Sequence, residues 1–105
     1  MSALSSKLQQ QEKTASSIET RAPKPYKVLL HNDHYTTMDF VVQVLQEVFH
    51  KPRRDAVKIM LHVHHQGIGV AGVYPMQIAE MKVTEVHNRA RAAGFPLRCS
   101  MEPEE

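Results

Sequence analysis

Tyr26-Lys27-Val28-Leu29-Leu30-His31-Asn32-Asp33-His34-Tyr35-Thr36-Thr37-Met38 reads as a strand, a polar turn and the entry to a helix. Tyr26 to Leu30 is a short β-rich apolar run, the composition of a strand. Asn32-Asp33 stops it, as polar turn formers do. Thr36 with Asp39 three residues on resembles a capping box with Asp in place of Glu, so a helix is expected to start there. Met38, Val41, Val42, Leu45, Val48 and Phe49 then recur at helical spacing, which predicts a first helix from about Thr37 to His50.

Moving outward, Pro52 suits a first helical position and opens a second helix. Its inward stripe is Ala56, Ile59, Met60 and Val63, with His64 at the edge, and Gly67 suits the C-terminal cap. Ile68 to Tyr74 mixes glycines with β-branched residues and reads as a second strand. Ala79, Val83, Val86 and Ala90 mark a third helix from about Met76 to Ala93, ended by Gly94. Pro96 to Met101 alternates and makes the last strand. The order β-α-α-β-α-β predicts an α+β fold: a small, mainly antiparallel three-stranded sheet with three helices on one face. Residues 1–22 are polar and give little to bury, so they read as a disordered N-terminal extension preceding a core domain of residues 23–105.

Composition narrows the function. The chain has 105 residues, 42% of them apolar and 23% charged, which fits one folded domain. A net charge of +2 without a basic stripe argues against nucleic acid. A single cysteine, Cys99, excludes an internal disulfide and a multi-cysteine zinc site. No apolar run approaches the ~18 residues of a membrane span and no signal pattern is present, making the cytoplasm the default.

Seven histidines are the unusual feature, three of them within His62-Val63-His64-His65. His62 and His65 are three apart and share a helix face, but a zinc site needs three or four ligands and the spacing supplies two. Cys99 sits in an alternating strand and reads as a packed thiol. Neither Gly-x-Ser-x-Gly nor a phosphate-binding glycine loop occurs, so no enzyme chemistry is indicated. Asn32-Asp33 offers an amide oxygen and a carboxylate together. Such groups either stabilise a turn or accept hydrogen bonds from a ligand ammonium, and spacing does not choose between these.

Tyr-Lys-Val-Leu-Leu (26–30), Asn32-Asp33, Tyr35-Thr36, Met38 to Val42, Ile59 to His64, Gly72-Val73-Tyr74, Ile78-Ala79-Glu80, Lys82-Val83 and Pro96-Leu97-Arg98-Cys99 together decide the reading. From Pro25 to Met101 the chain resembles the ClpS family, adaptor proteins of the bacterial N-degron pathway. The resemblance implies a cytoplasmic, monomeric, non-enzymatic adaptor without cofactor. Such an adaptor binds proteins whose first residue is Leu, Phe, Tyr or Trp and delivers them to the N-terminal domain of the ClpA unfoldase for degradation by ClpP. It implies that Asn32, Asp33 and His64 hold the substrate's α-ammonium, with His34 as an additional candidate. Thr36, Met38, Val41, Met60, Val63 and Leu97 would form the hydrophobic pocket, with Met38 excluding β-branched Ile and Val. Gln77, Glu80 and Lys82 would dock on the unfoldase, and the N-terminal extension would be engaged during delivery.

Two positions depart from the family pattern. His34 stands where a second acidic residue is common, which predicts amine binding that weakens toward pH 6. Gln77 stands where an acid is frequent. The competing readings are a metal-binding protein built on the histidines and an interaction domain of this fold that has lost its amine pocket through His34.

Overall fold

The computed structural model describes residues 24–105; the expected N-terminal extension, residues 1–22, lies outside the described residues. The elements are β1 (Pro25–His31), α1 (Met38–Glu47), α2 (Arg53–Gln66), β2 (Ile68–Pro75), α3 (Met76–Ala93) and β3 (Arg98–Pro103). This is the predicted β-α-α-β-α-β order. The strands form one sheet in the order β2-β1-β3, both pairs antiparallel.

β1 is the central strand and its pleat sorts the two faces. Val28 and Leu30 are fully buried and belong to the helix-side core. Leu29 points the other way, between Val70 and Ser100 on its neighbours. Under α2 the core side of β2 presents the small residues Gly69 and Ala71, so α2 approaches the sheet closely, while Tyr74 packs against the core farther along the strand. A Cβ on Gly69 would stand 2.7 Å from Cγ2 of Val63 and 3.1 Å from the His62 ring. The β1–β2 register shifts after Val28: Val28 pairs with Gly72 but Leu29 with Val70, leaving Ala71 as the extra residue of a bulge.

The helices follow their apolar stripes. Val41, Val42, Val44 and Leu45 of α1 are buried, as are Ala56, Met60 and Val63 of α2 and Ala79, Val86 and Ala90 of α3. Ile59 and Val83, both expected inward, pack at the margin of the core. Several boundaries differ from expectation; Pro52 stands just before α2 as its cap rather than at its first helical position, and three further differences have a visible cause. The α1 cap is Thr37, whose Oγ1 accepts from the Phe40 N–H at 3.1 Å, because the Thr36 hydroxyl is taken by Asp33. α1 ends at Glu47 rather than His50: His50 adopts a left-handed backbone (φ 54°) and the Lys51 N–H turns back to the Leu45 carbonyl. β3 starts at Arg98, after Pro96, which lacks an N–H for the ladder.

α3 ends in a Schellman motif, with Gly94 left-handed and the Phe95 N–H donating to the Ala90 carbonyl. This turns Phe95 onto Phe40 of α1, ring centroids 4.8 Å apart, and directs the chain through Leu97 into β3. Cys99 is buried, as expected, and burial pushes its thiol up to about 12. Because that value lies above the 9.0 of an exposed thiol, the folded state holds the proton longer than the unfolded chain. Stability from this group is therefore complete below pH 9 and is lost as pH rises toward 12. Urea midpoints followed across that window should fall more steeply for wild type than for Cys99→Ala.

Candidate functional site

The segment between β1 and α1 is shaped by one carboxylate. Asp33 Oδ1 accepts the N–H groups of Tyr35 (2.8 Å) and Thr36 (2.7 Å), and Oδ2 accepts the Thr36 hydroxyl at 2.7 Å. Burial alone would raise the Asp33 pKa. The bonds from Thr36 and Tyr35, with the nearby charge of His34, outweigh burial and hold the group below the ordinary aspartate value. Asp33 therefore does what turn-forming Asp residues commonly do, and it keeps its negative charge while doing so.

The same segment is fastened to α2. The Asn32 N–H donates to the carbonyl of Gly67 at 2.9 Å. Gly67 is the left-handed cap of α2 (φ 88°), and its own N–H returns to the Val63 carbonyl. Two bonds thus link Asn32 to the helical turn that carries Val63 and His64. A residue at the end of β1 and a residue at the end of α2 are held on either side of one opening.

That opening leads into a cavity of about 370 Å³. Its apolar lining is Met38 and Val41 from α1, Met60 and Val63 from α2, and Leu97 from the approach to β3. Asn32, Asp33, His34, Thr36 and His64 line it with them. The structure thus brings together every residue expected at the amine site and in the hydrophobic pocket. Val41, Met60, Val63 and Leu97 are buried, whereas Met38, expected to face inward, is 45% exposed. It is the first residue of α1 and stands at the cavity margin.

His31, Tyr35 and Thr37 also line the cavity, as members of the His31–Met38 segment expected to form one wall of the site, although none was assigned to the amine site or the hydrophobic pocket. The His31 ring is turned aside to the Ser100 hydroxyl, 2.6 Å away across the sheet; burial and then Arg98 lower its pKa. Only their position next to Asn32 and Thr36 in the chain pointed to these residues. Among the described residues, neither the Asn32 amide nor the His64 ring makes a hydrogen bond to another side chain. Both are exposed. No group of three His, Cys, Asp or Glu among the described residues is placed to hold a metal ion.

The chemistry of the cavity follows from this arrangement. Its mouth offers an amide oxygen, an imidazole nitrogen and a fixed carboxylate charge, all acceptors or partners for a cation. Its depth offers aliphatic and thioether surface. A small molecule with a positive head and an apolar tail satisfies both.

The expected docking residues separate. Gln77 and Glu80 line a shallow depression on α3 with Met81 and Thr84. Lys82 points elsewhere: its ammonium donates to the Val48 carbonyl at 2.6 Å and lies 5.6 Å from the centre of the Tyr74 ring. It ties α3 to the end of α1.

Residues 21–100 match the family model described as "ATP-dependent Clp protease adaptor protein ClpS". The chain belongs to the ClpS family. A ClpS from Desulfatibacillum aliphaticivorans is 60% identical over 86 residues, 82% of this chain and 83% of that one. The ClpS of Myxococcus xanthus strain DK1622 is 58% identical over 94 residues, 88% of each chain. Both are named ATP-dependent Clp protease adapter proteins. Among solved structures, Agrobacterium tumefaciens ClpS2 bound to L-phenylalaninamide superimposes with a TM-score of 0.76 at 41% identity, covering 79% of this chain and all of that one. The ClpS fold is therefore the fold of the described residues, and the family is one of adaptors for a protease.

Proposed function

We propose that this protein captures the free N-terminal residue of N-degron substrates, namely Leu, Phe, Tyr or Trp, and delivers them to the ClpA unfoldase for degradation by ClpP. The observation that carries this reading is the cavity itself. A mouth of Asn32, Asp33 and His64 opens onto a pit of Met38, Val41, Met60, Val63 and Leu97. L-phenylalaninamide, the molecule bound to the Agrobacterium relative, has a free α-amine, an aromatic side chain and an amide in place of its carboxylate. Chemically it is the first residue of a peptide cut just after its first amide group.

In this reading the Asn32 amide oxygen and an unprotonated His64 nitrogen accept two of the three ammonium protons. Hydrogen bonds to a charged donor contribute roughly 1.5–3 kcal/mol each. Asp33 acts through its charge and by shaping the Tyr35–Thr36 turn, since its oxygens already hold three donors. Burying a Leu or Phe side chain contributes roughly 1.5–3 kcal/mol more. Fluorescence anisotropy with a Phe-initiated peptide, its N-acetylated form and an Ile-initiated control tests the mechanism. Binding is expected for the first alone; equal binding of the acetylated peptide would refute amine capture.

Met38 sets the width of the pit near the substrate backbone. Ile carries its branch at Cβ, where Met38 stands at the cavity margin. Met38→Ala is expected to raise affinity for the Ile-initiated peptide by on the order of tenfold, read by the same assay.

Delivery would use the α3 surface around Gln77, Glu80 and Met81, with Lys82 holding that helix against α1. The adaptor would work in the cytoplasm as a monomer, without nucleic acid, membrane or cofactor. No described helix is long and apolar enough to cross a membrane. Degradation of a Phe-initiated reporter by ClpA and ClpP, with and without this protein, tests delivery.

A further inference from the structure

We propose that His34 reads the residue after the captured one, admitting acidic side chains at the second position of a substrate, and increasingly so as pH falls. This rests on the amine-capture reading and deepens it.

His34 is exposed and lines the cavity beside Asn32 and Asp33. If the first side chain fills the pit and the ammonium lies at Asn32 and His64, the peptide must leave over the mouth. The second residue's Cα is then only ~3.8 Å from the first. What its side chain meets is set by the charges of the mouth.

Those charges are few. From the loop come Asp33, His34 and the Tyr35 hydroxyl; from β1 comes His31; from α2 comes His64, with the His65 ring 5.3 Å from it. α1 contributes Met38 and Val41, without charge, while its Asp39 lines a separate depression with Arg89 and Phe95. Leu97 is the contribution from the approach to β3, whose Arg98 stands opposite His31 in the sheet. His31 is engaged with Ser100. A bound ammonium against His64 disfavours a proton on that ring, since like charges oppose each other. His34 is left as the imidazole at the mouth with no bound cation against it, and a proton on its ring would make it positive.

Its partner is Asp33, the one carboxylate in the lining. With His34 neutral, the Asp33 charge faces the departing peptide and repels a second-position Glu. With His34 protonated, the pair is neutral in sum and that repulsion is removed. Unit charges about 7 Å apart in a water-like medium alter affinity by about threefold.

The test uses Phe-Glu, Phe-Gln and Phe-Lys peptides of otherwise identical sequence, in low salt at pH 8 and pH 6, where Glu remains ionised. Anisotropy is measured for wild type, His34→Gln and His34→Asp. In wild type Phe-Glu should gain and Phe-Lys should lose up to about threefold in affinity between pH 8 and pH 6, so their ratio should rise by up to about ninefold. In His34→Gln it should stay level, with Phe-Gln as the neutral reference, and in His34→Asp it should fall below wild type at both pH values. Wild type and His34→Gln changing alike would overturn the proposal while leaving amine capture standing. An acetylated Phe-Glu peptide that binds as well as the free one would overturn both.

Discussion

Replacing Asn32 and His64 together with alanine is expected to weaken binding of a Phe-initiated peptide by roughly 100-fold or more. Thermal stability should remain close to that of wild type. Both side chains are exposed and have no side-chain partner among the described residues, so removing them leaves no buried group unsatisfied. The bond that fixes their relative position, from the Asn32 N–H to the Gly67 carbonyl, belongs to the backbone and survives both substitutions. Each lost acceptor forfeits a hydrogen bond to a charged donor. The two losses should not be strictly additive, because both acceptors serve one ammonium. Anisotropy for the single and double variants, with thermal melts alongside, separates lost recognition from lost folding. A double variant that binds within twofold of wild type would defeat the assignment.

Gly69→Ala should cost about 1–3 kcal/mol of stability and weaken peptide binding at the same time. The added Cβ would meet Val63 Cγ2 at 2.7 Å. Val63 cannot yield easily: it is β-branched, sits in a helix where one rotamer dominates, and is 3% exposed. The His62 ring, 3.1 Å away, closes the other side. α2 must therefore move off the sheet, and α2 carries Met60, Val63 and His64 of the cavity. For a domain of this size each kcal/mol corresponds to a shift of about 4–8 °C in the melting midpoint. Calorimetry and peptide titration on the same sample check both halves. A variant with lowered stability and unchanged affinity would show that the helix does not transmit the strain.

Much of this was legible before any coordinates. The β1 run and the helical spacing of Val41, Val42, Leu45, Ala56, Met60 and Val63 fix which faces turn inward. Because pocket and core share those faces, periodicity also finds most of the apolar lining. It does not separate lining from core, and Met38 shows the cost: spacing turns it inward, yet it stands at the margin. Its place as first residue of α1 follows from a competition that spacing cannot express. Asp33 binds the Thr36 hydroxyl, so Thr37 becomes the cap.

The polar half of the site needed the family resemblance, since Asn32-Asp33 serves a turn and an ammonium equally well by composition. The geometry adds that Asp33 serves the turn. Lys82 was not legible at all. Its bond to the Val48 carbonyl depends on where α3 crosses the end of α1, a contact between residues far apart in the chain. Val44, absent from the expected stripe, is 1% exposed. It lies beside the depression that α1 and α3 form with Phe40 and Phe95, so its burial also depends on a neighbour supplied later.

The placement of β1 between β2 and β3 has a consequence for how the molecule comes into being. β1 pairs with β3 from Tyr26 with Pro103 to His31 with Arg98, so an early segment waits for a late one. Until that late segment leaves the ribosome, β1 has one open edge and the cavity lacks Leu97 as a wall. A nascent chain with β1, both early helices and β2 already made therefore has an unfinished cavity. Without β3, the sheet and the wall of the proposed capture site are both incomplete, although most of the cavity lining comes from earlier elements.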